Sequence, residues 1–538
     1  MYDHRVFAVL TAKDVRNRAS SAFKLAHNAK WFQPAVGGVA ERATIGSREP
    51  TPAIDAEAEE AEGSGGAVDR LVLTFSELMR LENFEEGVQL GTNPATCHIL
   101  LGHRGTRGIS ARHYSIVVDR NMWIWLHDRY STHGTIVAHN KQNENERRRN
   151  ETWLLAYGPA TGMSQSFKNI TITSGSLVIG IEFPNHNCRD ARYLENLRAL
   201  VKKANEHDGV NITGLGLHSQ ATTKPPSEVQ TVGDRLIYVK DGKIGSGAYG
   251  QVFKTIRARD GKVLAAKIIK PPVINSQKRR RGHVEPSWLA EVRREYTIME
   301  DNRHPNIVQV FEMREEPEVM IVMRYFPSGN IVQAAIHDES RLITAFGQLL
   351  DCLSFLHSRR ITHRDIKPEN VLVELVPNFK VVLSDFGFSK EATETAGLQT
   401  FCGTLKYLAP EVFPFSATNY GPPADVWSLG VVALEWLYDI PETPKEPECE
   451  PARGSVRADD WLGWAQSWLS KLASQLHDQE EGIDVDLLQG MLVVNQQRRM
   501  TAARCLEMGM INGLFKRRAV DGLVACLLDG EEETITSS

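Results

Sequence analysis

The chemistry this chain could perform is concentrated in three glycines, one lysine and a few carboxyl and carboxamide side chains of its C-terminal half. Ile244-Gly245-Ser246-Gly247-Ala248-Tyr249-Gly250-Gln251-Val252 sets glycines at GxGxxG spacing between two strand-like segments. Where side chains are missing, backbone amides can come close to phosphate oxygens. Leu264-Ala265-Ala266-Lys267 then puts a lysine on the next long strand, and Glu295, in a helical run ten residues before Pro305, can form its ion-pair partner. His363-Arg364-Asp365-Ile366-Lys367-Pro368-Glu369-Asn370, Ser384-Asp385-Phe386-Gly387 and Ala409-Pro410-Glu411 follow in order. A lone lysine on a strand is usually solvated and a lone Asp-Phe-Gly is usually a turn, so the weight lies in their joint occurrence.

Taken together these segments resemble the eukaryotic protein kinases over roughly 280 residues. The resemblance implies a two-lobed α+β fold that transfers phosphate from ATP with Mg2+, a reaction dominated by positioning and charge neutralisation. It assigns Lys267 to the α- and β-phosphates and Glu295 to holding Lys267. Asp385 and Asn370 would ligate magnesium, whose hard character suits oxygen donors. Asp365 would accept or orient the substrate hydroxyl proton, and Lys367 would stabilise the transferring phosphoryl group. Ile244, Gly245, Gly247 and Gly250 would cover the nucleotide. Val252, Ala265 and Met323 would line the adenine slot, with hinge backbone from Arg324 to Phe326. Lysine two positions after Asp365 resembles the serine/threonine subclass.

The same resemblance implies control through the activation loop. Thr400 is the expected phosphorylation site, with Thr395 as a second, and Arg364 would pair with the phosphate. Thr404 is expected to contact Asp365 and Lys367 structurally. Glu411 with Arg499 should form a buried ion pair, and Asp425 should cap the catalytic-loop backbone. Glu369 favours arginine upstream of the target, although its usual acidic companion is replaced by Asn330; Phe388 points to serine over threonine. Leu405 replaces a common proline. Trp461, Trp464 and Trp468, at helical spacing, read as core rather than as a docking surface. Lys278-Arg279-Arg280-Arg281 fits a nuclear signal, a phosphate-binding patch or a solvated loop.

The elements that position these groups run strands first and helices afterwards from Asp234 to about Phe515. Upstream, Leu71–Phe75, His98–Leu101, Tyr114–Val118, Trp123–Leu126 and Leu177–Ile181 are short β-type runs between turns, the pattern of an all-β sandwich. Within it, Gly91, Ser110-Ala111-Arg112-His113 and Ser131-Thr132-His133-Gly134-Thr135 resemble the forkhead-associated (FHA) domain, a reader of phosphothreonine. That resemblance gives Ser110 a hydrogen bond to phosphate, His113 a bracing role, and Arg112, Ser131, Thr132 and His133 a place at the peptide. Thr92 stands where the family has arginine, which removes a charge-assisted donor; Arg104, Arg107 and Arg112 are the substitutes at hand. A sandwich that is purely structural or dimerising is the alternative.

Five stretches follow: a largely disordered 1–69, an FHA domain at 70–186, a linker with a short helix at 187–233, a kinase domain at 234–516 and a tail at 517–538. Residues 34–69 carry the acidic run Asp55–Glu62 and Gly63-Ser64-Gly65-Gly66, with few large apolar groups to offset ordering entropy. Tyr193, Leu197 and Leu200 have helical spacing. Hydrophobic residues make up 42% of the 538 and charged ones 24%, enough for real cores, while a net charge of −5 argues against a nucleic-acid binder. No apolar run reaches the roughly 18 residues of a membrane span, and seven scattered cysteines suit reduced thiols. Six basic residues against Asp3 and Asp14 in 1–31 leave a transit peptide as an alternative to a nuclear or cytoplasmic location.

A sandwich, a linker and a kinase together resemble the checkpoint-kinase-2 type of DNA-damage and meiotic kinases. Expected partners are ATP, protein substrates, phosphothreonine-containing proteins and a transient second copy for trans-autophosphorylation. No Ser/Thr-Gln dipeptide occurs in residues 1–70, so the cluster usual in that family is missing. The competing readings are a phosphopeptide-binding scaffold with a silent kinase domain, and an active kinase beside an inert sandwich.

Overall fold

The structure, a computed structural model, describes residues 3–14, 16–35, 68–82, 84–158, 167, 169–184, 186, 190–205, 235–247, 250–270, 287–386, 405–412, 421–445 and 458–527. They divide into one unit of Met1–Gly242 with Thr255–Val263 and a second of Lys243–Lys254 with Leu264–Ser538.

The first unit is a two-sheet sandwich. One sheet orders as β2 (Phe32–Gln33), β3 (Arg70–Thr74), β1 (Val6–Ala12), β12 (Leu177–Glu182), β11 (Ile170–Ser174), β8 (Thr135–His139) and β9 (Arg147–Arg148). The other orders as β10 (Thr152–Ala156), β7 (Ile124–Asp128), β6 (Arg112–Val118), β4 (Val88–Gly91) and β5 (Ile99–Leu100), antiparallel except between β4 and β5. Alternation along β7 and β11 turns Ile124, Leu126, Ile170 and Ile172 inward, where they meet Leu10, Tyr114 and Trp153 in one core.

The expectation of a disordered 1–69 is corrected over residues 3–35. Val6 to Leu10 are all buried, and β1 pairs on both sides, Leu10 facing Leu71 of β3 and Ile181 of β12. A strand covered on both faces needs an unbroken apolar run rather than alternation. Helix α1 (Arg18–Phe23) follows and buries Ala19, Ala22 and Phe23, and Lys24 pairs with Asp69 at 2.8 Å. The basic residues of this segment thus decorate a folded element. Residues 36–67, with the acidic run, lie outside the described residues.

Helix α3 (Ala191–Asn205) buries Tyr193, Leu197 and Leu200, as its spacing predicts. Tyr193 meets Phe75, the first residue of α2 (Phe75–Met79), edge-on at 5.3 Å. The helix is therefore part of the sandwich core, which corrects its placement in a linker.

Among the described residues of this unit three histidines are fully buried, and burial pushes His113, His139 and His186 down to about 4 from 6.5. Each is neutral when folded yet binds a proton near pH 6.5 when unfolded. Their contribution is complete above pH 6.5 and is lost as pH falls towards 4. Acidification across this window is expected to destabilise the sandwich by up to about 3 kcal/mol per histidine. Thermal unfolding of the full chain, followed by tryptophan fluorescence, should show the loss; an unchanged midpoint from pH 7 to 4.5 would contradict it.

The second unit draws on a five-stranded sheet ordered β13 (Tyr238–Gly247), β14 (Gly250–Arg257), β15 (Val263–Ile269), β17 (Met320–Arg324) and β16 (Val310–Arg314), to which α4 (Ser287–Asp301) belongs. Helices α5 (Glu339–Ser358), α6 (Pro422–Tyr438), α7 (Ala458–His477), α8 (Ile483–Met491) and α9 (Ala502–Ile511) and the hairpin β18 (Val371–Glu374)–β19 (Lys380–Leu383) complete it. Helix α5 starts at Asp338, whose carboxylate accepts the Arg341 N–H at 2.9 Å. Trp464 and Trp468 are buried, their indole N–H groups donating to the carbonyls of Pro444 and Lys406; the Trp461 side chain lies outside the described residues. The supposed tail from 517 is corrected as well. β20 (Phe515–Arg517) pairs with β21 (Val524–Cys526), and Gln348 and Thr344 of α5 bond the backbone of Val524 and Cys526.

Candidate active site and sandwich loop cluster

In β15, Ala265 faces Met323 across the ladder to β17, and both are buried. Lys267, two residues on, carries its ammonium group 2.7 Å from Glu295 Oε1 of α4 and 2.7 Å from Asp385 Oδ1. Burial would lower the Lys267 pKa, but the two carboxylates outweigh it and the net shift is upward. Burial raises Asp385 too, yet Lys267 wins and holds it below the usual carboxylate range. For Glu295 burial prevails over Lys267, with Asp385 adding repulsion, so its pKa rises. At neutral pH the lysine is a fixed positive charge. Gly250, at the start of β14, is required by packing: a Cβ there would stand 2.0 Å from the Ile268 carbonyl oxygen.

Below this lysine, Asp365 collects two donors. Lys367 Nζ is 2.7 Å from Asp365 Oδ2, and Asn370 Nδ2 donates to the same oxygen at 2.9 Å and to the Asp365 carbonyl at 2.8 Å. The Asn370 amide nitrogen is thus committed, which leaves its oxygen for a cation. Ser384 donates through both its N–H and its hydroxyl to the Asn370 carbonyl, tying the Asp385 segment to this loop. Burial keeps His363 neutral: Nδ1 accepts the Asp365 N–H and Nε2 donates to the Ser384 carbonyl at 3.1 Å. Its ring meets the fully buried Phe386 edge-on at 4.6 Å.

Two residues here hold left-handed backbone, Arg364 at φ +72° and Asp385 at φ +64°. Such geometry persists only where the surroundings impose it. Asp425 of α6 supplies that constraint, accepting the N–H groups of His363 and Arg364 at 2.8 and 2.7 Å and a contact from His357 at 2.9 Å. Farther down, Arg499 and Glu411 form a buried two-pronged pair at 2.6 and 2.9 Å.

The structure therefore brings together Lys267, Glu295, Asp365, Lys367, Asn370 and Asp385. Val252 is half-buried and Ile244 exposed on the glycine-rich strands. Phe326 is buried, while the Arg324 side chain is committed to Glu374. Thr395, Thr400, Thr404, Phe388 and the Lys278–Arg281 run lie outside the described residues. One contact absent from the sequence reading is that of Lys406 and Tyr407, just before Ala409-Pro410-Glu411, which both bind the Glu435 carboxylate at 2.6 Å.

In the sandwich, the loops before β6 and β8 meet. The Thr132 N–H donates to Ser110 Oγ at 2.9 Å, the Ser110 hydroxyl turns to Thr132 Oγ1 at 3.4 Å, and the Ser110 N–H donates to His113 Nδ1 at 3.0 Å. His133 is exposed beside them. Two predicted peptide contacts are otherwise engaged. The Ser131 hydroxyl is buried on Asp128 at 2.6 Å, and the Arg112 guanidinium pairs with Glu86. Asp128, which the sequence reading did not single out, also accepts from Thr135 and Asn150 and so knots the loop. Thr92 is buried against Ser110 and Ala111, and the Arg104 guanidinium reaches the neighbouring Asn93 at 2.7 Å.

Residues 238–511 match the family model described as protein kinase domain. Serine/threonine-protein kinase cds1 of Schizosaccharomyces pombe is 33% identical over 278 residues, 49% of this chain and 56% of its own. Serine/threonine-protein kinase RAD53 of Saccharomyces cerevisiae is 28% identical over 358 residues, 63% of this chain and 40% of its own. Putative serine/threonine-protein kinase A of Trypanosoma brucei brucei is 34% identical over 216 residues, 38% and 47%. The chain spans about half the length of the curated relatives it matches.

Proposed function

Because the chain belongs to the protein kinase family, its residues 238–511 being a kinase domain of the serine/threonine kind, we propose that it transfers the γ-phosphate of ATP to serine and threonine hydroxyls of proteins. The observation that carries this reading is the Lys267 ammonium group, fixed at 2.7 Å from both Glu295 and Asp385. Lys267 would hold the α- and β-phosphates under the glycine-rich turn, with Ala265, Val252 and Met323 against the adenine. Asp385 and the Asn370 oxygen are hard donors that fit divalent cations, which neutralise phosphate charge when bound. Asp365 orients the attacking hydroxyl and takes its proton, and Lys367 steadies the transferring group. Transfer of labelled γ-phosphate to serine and threonine peptides, and not to tyrosine peptides, tests the reading.

The sandwich reads as the recruiting module, an FHA domain whose phosphate hook is Ser110 and Thr132 with Arg104 in place of the usual arginine. Thr92, short and buried, cannot reach a ligand, whereas Arg104 brings a guanidinium to the same loop through Asn93. Full-length protein is expected to bind a phosphothreonine peptide in preference to its threonine counterpart. Ser110→Ala and Arg104→Ala should each weaken that binding by roughly tenfold, the worth of a charge-assisted hydrogen bond. Equal affinity for both peptides would rule the recruiting role out. Two copies gathered on such partners would phosphorylate each other's activation loops at Thr400 through raised local concentration. We place this activity in checkpoint signalling in the nucleus, following the checkpoint-kinase-2-like order of domains and the kinship with cds1 and RAD53.

A further inference from the structure

One face of α6 serves two segments of the kinase unit. Asp425, Ser428 and Glu435 follow one another at helical spacing, which turns all three side chains to the same side. Asp425 holds the backbone of His363 and Arg364, just before Asp365. The Ser428 hydroxyl donates to the Tyr407 carbonyl at 2.7 Å. Glu435 accepts the Lys406 ammonium on Oε1 and the Tyr407 hydroxyl on Oε2, each at 2.6 Å. The helical rise puts Glu435 about 15 Å along the axis from Asp425, within the span of a short peptide. Tyr407 also feels the catalytic loop: burial and the Glu435 bond raise its pKa, and the Glu369 carboxylate adds to the rise. Glu369, in the same loop as Lys367 and Asn370, is exposed.

A peptide that presents its hydroxyl to Asp365 lays its flanking residues over this neighbourhood. Two open carboxylates there would attract two cationic side chains, but Glu435 is already met from within the chain. Lys406 Nζ stands 4.7 Å from the Tyr407 ring centroid, and the Lys406 carbonyl accepts the buried Trp468 indole N–H at 3.0 Å, so the ammonium is held in place. The pair still faces solvent, with side chains 29% and 27% exposed. We infer that Lys406 is a specificity-determining residue, filling on Glu435 the place of a substrate arginine and leaving Glu369 to receive a single basic residue. The substrate class is therefore serine or threonine peptides with one nearby arginine rather than two. This rests on the proposed transfer at Asp365.

The test is steady-state phosphorylation, by the full chain, of serine peptides with no, one or two arginines placed at each flanking position in turn. With the parent, the best single arginine is expected to raise kcat/KM about tenfold and a second to add less than about twofold. Lys406→Met keeps the aliphatic stem beside the Tyr407 ring and removes the charge. In that variant the second arginine should add about five- to tenfold, chiefly through KM. The quantity compared is the ratio of two-arginine to one-arginine kcat/KM within each variant, so a general loss of activity cancels. Adding Glu435→Gln to Lys406→Met should abolish the gain, which separates a freed carboxylate from a loosened fold. A parental ratio in Lys406→Met, or a gain that survives Glu435→Gln, would overturn the inference. Should the parent transfer no phosphate, the kinase reading falls, and equilibrium binding of the same peptides, followed by fluorescence anisotropy, decides between these outcomes.

Discussion

Changing Asp365 to asparagine should lower kcat by about a thousandfold and leave ATP affinity within about twofold. The substitution keeps the side-chain shape but removes the group that can accept a proton. It also sets a neutral amide against the Lys367 ammonium at 2.7 Å and the Asn370 amide at 2.9 Å, where one carboxylate oxygen now accepts from both. The nucleotide charge would be met by Lys267 and by divalent cations held at Asp385, and neither residue bonds Asp365, so binding survives. Steady-state phosphorylation of a serine peptide, read beside calorimetric ATP binding, separates the two effects. Unchanged turnover would reassign the catalytic position, and a parallel loss of ATP binding would make Asp365 a nucleotide ligand.

Arg499→Ala is the substitution expected to harm stability most. The guanidinium is wholly buried, forks onto Glu411, donates to the carbonyls of Val493 and Pro423, and lies 5.1 Å from the Trp427 ring centroid. Its removal strands the Glu411 carboxylate inside the protein, at a cost of roughly 3–5 kcal/mol. For a unit of this size that should lower the unfolding midpoint by on the order of 10 °C. Arg499→Lys should recover only part, because an ammonium cannot reproduce the planar fork. Calorimetry should move the kinase transition and spare that of the sandwich. A shift under about 2 °C would show that the pair contributes little.

The parts legible in the sequence are those where chemistry dictates residue identity. Lys267, Asp365, Asn370 and Asp385 were legible as a set because their motifs follow one another at matching distances, and the structure brings them together; Glu411 with Arg499 and Asp425 make the contacts that the resemblance implied. The strands at 114–118 and 177–181 and the spacing of Tyr193, Leu197 and Leu200 were legible because each presents one face to a core. Val6 to Leu10 were not, because a central strand shows no alternation and basic neighbours at Arg16, Arg18 and Lys24 suggested a leader. Ile256 and Ala258 gave no warning of their allegiance to the sandwich: a buried apolar residue does not say which core it enters. The commitments of Ser131 to Asp128 and of Arg112 to Glu86 depend on loop approach, which spacing alone cannot supply.

The position of β1 has a consequence for biosynthesis. Its partners on the two sides lie at residues 70–74 and 177–182, with Val9 paired to Glu182 and Thr11 to Gly180. β1 leaves the ribosome before either partner and must therefore wait, solvent-exposed on one flank, until some 170 further residues have been translated. During that interval its run of Val6-Phe7-Ala8-Val9-Leu10 is an unpaired apolar edge, the kind of segment that chaperones shield and that aggregates when they do not. Closure of the sandwich is a late, non-local event, and the flanking charges at Arg5 and Lys13 bracket the strand as gatekeepers through the wait.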